Sequence, residues 1–259
     1  MRDAGLDEAI RVAGGVGALA RKIGISQPSV SNWSRIPAER VLAVEAATGL
    51  DRSVLRPDLY NERHPNAGDV EEVDAARAQE YTLLAALLSR APDQALLDRL
   101  ANLRGDPSPL GVAHAALAEA ASRTNAEHVE REYFDLFIGL GRGELLPYGS
   151  YYISGFLYER PLARLREQLS RLGVERADGE SEPEDHAAIL CEIMAGLING
   201  RLPAEAGADR ELFGKHLSPW IGRFFADLER AEAADFYRKV GTLGRLFVDI
   251  ETEAFALPV

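Results

Sequence analysis

Apolar residues recur at helical spacing along most of this 259-residue chain, and no alternation typical of β-strands follows Val70. Because residues at i, i+3, i+4 and i+7 share one face of a helix, the pattern predicts an all-α protein. In the larger, C-terminal part we predict helices at Val73–Ser89, Asp93–Leu103, Pro109–Ser122, Asn125–Ile138, Glu159–Leu172, Pro183–Ile198, Arg210–Leu217, Pro219–Ala231 and Ala234–Phe255.

The first sixty residues contain shorter apolar repeats that are separated by glycine and serine. Helices are predicted at Leu6–Ala13, at two positions within Val16–Trp33, at Pro37–Thr48 and at Asp51–Leu55. Gly24 can adopt the left-handed backbone of a tight turn, and Ser26 can cap the helix that follows, with Pro28 in its first turn. Two short helices joined in this way predict a helix-turn-helix.

The second helix of this motif would expose short polar side chains that can bond base edges, and nearby basic side chains could meet phosphates. The candidate DNA-binding residues are Arg21, Lys22, Gln27, Ser29, Ser31, Asn32 and Arg35. With Ile36-Pro37 and Arg56-Pro57-Asp58, the stretch Leu6–Tyr60 resembles Cro/YdaS-like repressor domains. The alternative is a helix-turn-helix that is structural or binds protein.

A polar stretch rich in helix breakers, Asn61–Asp69, separates the two parts and is predicted to connect two domains. We therefore expect a helix-turn-helix domain at residues 1–60, a linker at 61–72 and an all-helical domain at 73–259. Charge differs across this boundary: residues 1–58 carry 8 Lys and Arg against 7 Asp and Glu, and the remainder carries 21 against 34. A near-neutral head on an acidic body suggests that the two parts meet different partners.

Composition narrows the function classes. The net charge of −12 argues against a nucleic-acid coat over the whole surface. Cys191 is the only cysteine and the histidines have no paired ligand spacing, so neither a disulfide, a bound metal nor a cofactor is expected. No apolar run is long enough for a membrane helix, and Met1–Gly5 begins no signal peptide, so we expect a cytoplasmic protein without membrane insertion.

Two separated stretches of the body combine aromatic, apolar and acidic residues. Tyr133, Leu136 and Phe137 share a helix face and precede the loop Leu146–Tyr152, and Glu182–His186 follows about thirty residues later. An aromatic wall beside an acidic helix start would suit a peptide with apolar and basic side chains. Two alternatives remain open: the aromatic trio could be core, and Ser181 to Glu184 could form a capping box. A cap does not account for Asp185 and His186.

The patterns Y-x-x-L-F-x-G, P-x-x-S-x-Y and E-P-x-D-H resemble the TorD/DmsD family of molybdoenzyme maturation chaperones. With His216-Leu217-x-Pro219-Trp220 and Phe236-Tyr237, the resemblance covers about Asp74 to Phe255. It implies binding of the twin-arginine leader peptide or the apo-form of a molybdenum-cofactor enzyme. The candidate peptide-binding residues are Tyr133, Leu136, Phe137, Pro147, Tyr148, Ser150, Tyr151, Pro183, Asp185 and His186. We expect leader arginines to lie at Asp185, and protonation of His186 near about pH 6 to weaken binding.

Enzyme chemistry is not predicted. The glycines from Gly139 to Gly143 follow a helix and lack the Gly-Lys-Ser/Thr ending of a phosphate loop. Asp185 and His186 lack a serine on a strand-turn-helix elbow. Two other classes stay open: a transcription regulator whose body senses client or cofactor status, and an interaction scaffold. Duplex DNA and a second copy of the chain, as a homodimer, are the further partners considered.

Overall fold

The structure is a computed structural model that describes residues 2–60, 67–175 and 182–257. The described residues form helices and no β-strand, which confirms the predicted all-α class. No helix in this part of the chain is both long and apolar enough to cross a membrane. Backbone contacts divide the chain into two units, Met1–Val70 and Glu71–Val259.

As far as the structure describes it up to Tyr60, the first unit has six short α-helices. They are α1 (Ala4–Ala13), α2 (Val16–Lys22), α3 (Gln27–Ser31), α4 (Val41–Thr48), α5 (Arg52–Leu55) and α6 (Pro57–Tyr60), with a 3₁₀ turn at Ala38–Arg40. Its core is formed by fully buried residues, among them Leu6, Leu19, Val30 and Leu55. A Cβ atom at Gly5 would lie 2.3 Å from the Leu55 carbonyl oxygen, so α1 can approach α5 only because residue 5 is glycine.

The described residues of the second unit form ten α-helices and two π-helical turns around one core. The α-helices are α7 (Ala67–Ser89), α8 (Gln94–Leu100), α9 (Pro109–Ser122), α10 (Ala126–Tyr133), α11 (Gly149–Ser154), α12 (Arg160–Arg171), α13 (Ala187–Ile198), α14 (Ala208–Leu212), α15 (Ile221–Arg230) and α16 (Phe236–Ala256). The π turns, Phe134–Ile138 and Phe213–Leu217, directly follow α10 and α14. Large buried rings, including Trp220, Tyr237 and Phe224, fill the core.

An ionic cluster joins three helices of this unit at one end. The Arg77 guanidinium on α7 contacts Glu251 on α16 at 2.7 Å, Asp209 on α14 at 3.1 Å and Asp74 at 2.9 Å. Tyr81 donates its hydroxyl to the same Glu251 carboxylate at 3.0 Å. Because Glu251 is 1% exposed, its charge depends on these partners for stabilisation.

Several predicted boundaries were wrong. Helix α7 begins at Ala67, so 67–72 of the predicted linker are helical, whereas 61–66 lie outside the described residues. Residues Gly149–Ser154 form α11, although this stretch was predicted as loop. The helix predicted from Pro183 begins at Ala187, because His186 has an extended backbone (ψ 137°) that pairs with Tyr148. The capping-box alternative depends on Ser181, which lies outside the described residues.

Candidate functional site

The two signature stretches of the body lie side by side. An isolated antiparallel bridge pairs Tyr148 with His186. The amide of Gly149 donates to the Asp185 carbonyl at 2.9 Å, and the amide of Ala187 donates to the Pro147 carbonyl at 2.8 Å. Backbone pairing therefore assembles into one surface two motifs that are more than thirty residues apart in the sequence.

Asp185 is part of the scaffold of this surface. It is 3% exposed, and its Oδ2 accepts the Ser150 amide in the first turn of α11 at 2.6 Å. Its Oδ1 and the Ser150 hydroxyl are buried without a hydrogen-bond partner among the described residues. A carboxylate at a helix start is stabilised by the free amides there. The predicted contact between Asp185 and a leader arginine does not agree with this burial.

His186 is the N-cap of α13. Its Nδ1 accepts the Ala188 amide at 3.1 Å, which leaves the ring proton on Nε2, and its ring meets the edge of Tyr148 at a centroid distance of 5.0 Å. Burial lowers the pKa of His186 to about 4, although the carboxylates of Glu182 and Asp185 act in the opposite direction. This lowered pKa does not agree with the expected protonation of His186 near about pH 6.

The tyrosines of the loop are more accessible. Tyr148 and Tyr151 are half-buried. Tyr148 donates its hydroxyl to the exposed Glu182 carboxylate, and burial followed by this bond raises the pKa of Tyr148. Arg142 donates to the Tyr151 hydroxyl at 2.6 Å and lies over that ring. These residues present aromatic and charged groups together. The two prolines of the set, Pro147 and Pro183, are buried.

The aromatic trio mostly faces the core. Leu136 is fully buried, so its predicted peptide contact does not agree with the structure. Tyr133 and Phe137 are half-buried and pack on the buried Tyr237 at ring centroid distances of 5.9 and 5.4 Å. Tyr133 donates to the Leu88 carbonyl at 3.2 Å, and burial raises its pKa to about 12. The core alternative therefore accounts for most of this trio.

The exposed apolar side chains lie next to the predicted ones in the sequence. In the π turn the Gly139 amide donates to the Phe134 carbonyl five residues earlier, at 2.7 Å. Phe134 and Ile138 are exposed to solvent, and Leu140 is 97% exposed. Ile153, Phe156 and Tyr158, after the tyrosine loop, are exposed as well. Sequence reasoning missed these residues, although the apolar character of Phe134 and Ile138 on the outer side of a predicted helix was a usable signal.

A cavity of about 780 Å³ adjoins Glu182 on the side of α7, α12 and α13. Apolar side chains such as Ile189 and Leu202 line it together with several glutamates. Arg166 forms an ion pair with Glu184 at 2.8 Å at its edge. The cavity is thus continuous with the acidic part of the second motif.

In the head, each of the seven candidate DNA-binding side chains is exposed. Ser26 caps α3 as predicted, accepting the Ser29 amide at 3.4 Å, and its hydroxyl contacts the Ser29 hydroxyl at 2.7 Å. Gly24 has a φ of 71°, as its place in the turn requires. Val30 on the inner side of α3 is buried, so the polar residues of this helix are directed outward.

Both units match known families. Residues 104–226 match the nitrate reductase delta subunit family, and residues 6–64 match the bacterial toxin YdaS family. A chaperone protein TorD from Vibrio cholerae serotype O1 is 29% identical over 143 residues, which cover 51% of this chain and 65% of that protein. The match thus spans slightly less than two thirds of this relative.

Other relatives extend the similarity. A TorD chaperone from Aliivibrio fischeri is 25% identical, over 70% of this chain and 94% of its own length. A Tat proofreading chaperone DmsD from Haemophilus influenzae is 27% identical, over 45% of this chain and 57% of its own. A crystal structure described as a redox enzyme maturation protein from Archaeoglobus fulgidus matches with a TM-score of 0.44 at 23% identity, over 67% of this chain and 93% of that one.

These relatives are named as chaperones and not as enzymes, in agreement with the prediction that the chain is not an enzyme. The signature patterns of the body lie at its bridged surface, and both family matches coincide with the resemblances read from the sequence. The helical body is therefore similar to the TorD/DmsD family of chaperones, and the N-terminal domain is similar to the YdaS family with its helix-turn-helix.

Proposed function

We propose that this protein is a cytoplasmic chaperone for the maturation of a molybdenum-cofactor oxidoreductase, and that its body binds the leader peptide or apo-form of that client. The observation that carries the proposal is the bridge between Tyr148 and His186, which brings the two signature motifs together next to the exposed Glu182. The chaperone relatives support the same function.

The client contacts are assigned by exposure. The apolar stretch of a leader would contact Phe134, Ile138 and Leu140. These apolar side chains are exposed to water, and a bound apolar segment would cover them. Leader arginines would meet the exposed carboxylate of Glu182 beside Tyr148, since guanidinium groups pair with carboxylates. The buried residues among the candidate peptide-binding residues, such as Leu136 and Asp185, would then hold this surface in place without contacting the leader.

The test is calorimetric titration of the full chain with a synthetic twin-arginine leader of a molybdoenzyme encoded in the same genome. Ile138→Asp should weaken binding by about 1–3 kcal/mol, as expected for a central apolar contact. Glu182→Gln should weaken it mainly at low salt, because the lost contact is electrostatic. Val112→Asp on α9 is the control, since Val112 is as exposed as Ile138 but outside the site. If Ile138→Asp and Glu182→Gln both bind like wild type, the leader lies elsewhere.

Weak binding of duplex DNA by the head is a second candidate function, supported by the outward polar and basic side chains of α2 and α3. Titration of the full chain with labelled duplexes tests it. Arg21→Ala should weaken binding to all sequences and flatten the salt dependence. Gln27→Ala and Asn32→Ala should relax sequence preference, by about 1–3 kcal/mol for each good base contact. Arg11→Ala on α1 is the control, and a wild-type chain that binds no duplex at low salt would remove this function.

The regulator hypothesis is not favoured, because the relatives of the body are chaperones.

A further inference from the structure

A carboxylate directly before the aromatic motif caps a distant helix. Glu132 accepts the amides of Asp235 and Tyr237 at 2.7 Å each and the amide of Phe236 at 3.1 Å. These amides open α16, whose own N-cap residue Asp235 supplies no side-chain bond. The free amides and dipole of a helix start favour a negative charge there. Glu132 therefore ties the residue before Tyr133 to the start of the C-terminal helix.

A second carboxylate binds the same stretch of backbone. Glu144 accepts the amides of Glu232 and Ala233 at 2.7 and 3.0 Å. Its own amide donates to the Asp135 carbonyl at 3.1 Å, which closes the glycine-rich loop between them. Both ends of the segment 132–144 are thus held on the backbone of residues 232–237 by five hydrogen bonds to carboxylates.

The exposed apolar side chains lie between these two attachment points. Phe134 and Ile138 belong to the π turn, and Leu140 follows at the tip of the loop. Leu136 is buried and anchors the π turn in the core, whereas the tip of the loop is not fixed by burial, because Leu140 is 97% exposed. Its position must then come from the ends of the segment, and a fixed surface lowers the entropy lost on binding.

We infer that Glu132 and Glu144 are positioning residues of the client-binding surface, which hold the π turn and its loop in the conformation that presents Phe134, Ile138 and Leu140. The inference rests on the proposed function for its client. The attachment itself can be measured without a client.

Two readouts on the full chain test the inference. Trypsin cleavage after Arg142, an exposed loop residue between the two carboxylates, reports the loop directly. Trypsin should cleave the Glu132→Gln and Glu144→Gln variants after Arg142 faster than it cleaves the wild-type chain. In calorimetric titration with the synthetic leader, each should bind about tenfold more weakly, as for one or two lost bonds to a charged group.

The control is Glu229→Gln. Glu229 also bonds a partner on α16, Arg245 at 3.0 Å, but does not contact the loop. It should lose thermal stability while keeping both the wild-type cleavage rate and the wild-type leader affinity. Unchanged cleavage in the Glu132 and Glu144 variants would overturn the positioning role. The positioning role would also be overturned if Glu132→Gln, Glu144→Gln and Glu229→Gln lost the same leader affinity at the same loss of melting temperature. A wild-type chain that binds no leader would instead overturn the proposed function, whatever the cleavage rates.

Discussion

Acid should destabilise this protein through one buried histidine. His186 is buried in its neutral form as the N-cap of α13, with Nδ1 occupied by the Ala188 amide. Its pKa falls from an ordinary 6.5 to about 4 in the folded state because burial disfavours the charged ring. Between these values the unfolded chain binds more protons, so this contribution to stability is present above pH 6.5 and is lost as the pH falls towards 4.

The size of the effect follows from the two pKa values. From about pH 7 to about pH 5, His186 should remove about 2 kcal/mol from the free energy of unfolding. Other histidines have shifted pKa values as well: the pKa of His114 is raised, first by its hydrogen bond to Glu80, and that of His216 is lowered by burial. The change must therefore be measured as a difference between wild type and a variant at residue 186.

Urea unfolding followed by circular dichroism at several pH values is the assay. His186→Asn is the matched variant, because asparagine can still cap the helix but does not titrate. Wild type should lose about 2 kcal/mol more than His186→Asn between about pH 7 and about pH 5. Equal pH dependence of the two proteins, or an NMR titration in which the folded His186 ring protonates above about pH 6, would refute the reasoning.

Three further predictions concern the body. Arg77→Met should destabilise the fold by about 3 kcal/mol, because it strands the buried carboxylate on α16, and urea unfolding measures the loss. Gly244→Ala should cost about 1–3 kcal/mol, since its Cβ would lie 2.3 Å from the Phe225 ring, whereas Gly214→Ala, where a Cβ meets nothing within 4 Å, should not. Cys191 is buried with its pKa raised to about 12, so a thiol reagent should label it only after denaturation; rapid labelling of the folded chain would contradict this.

Helix positions in this protein were largely readable from apolar spacing, because the helices bury one face each. The helices predicted at Leu6–Ala13, Pro109–Ser122 and Glu159–Leu172 agree with the structure to within two residues. The predictions were weakest where a long-range partner sets the backbone. Residues 183–186 do not begin the helix because pairing with Tyr148 extends His186.

The sequence indicates candidate residues of the site, but not the partner that each side chain contacts. Motif spacing singled out Asp185, but its carboxylate is bound by an amide 35 residues away, which no local pattern reveals. The same holds for Glu132, whose three amide partners follow about one hundred residues later. Charge and hydropathy indicate what a side chain can bind, whereas its partner depends on packing between elements distant in sequence.

The π turn at Phe134–Ile138 also constrains how this sequence can change over time. Each turn of such a helix carries one residue more than an α-helical turn. Deletion of one residue there would remove the widened turn and shorten the segment that joins α10 to Glu144. Glu144 would then move away from the backbone of residues 232–233 that it now binds. Apolar substitutions in this segment should therefore be tolerated far better than single-residue insertions or deletions, so that its length is inherited more strictly than its composition.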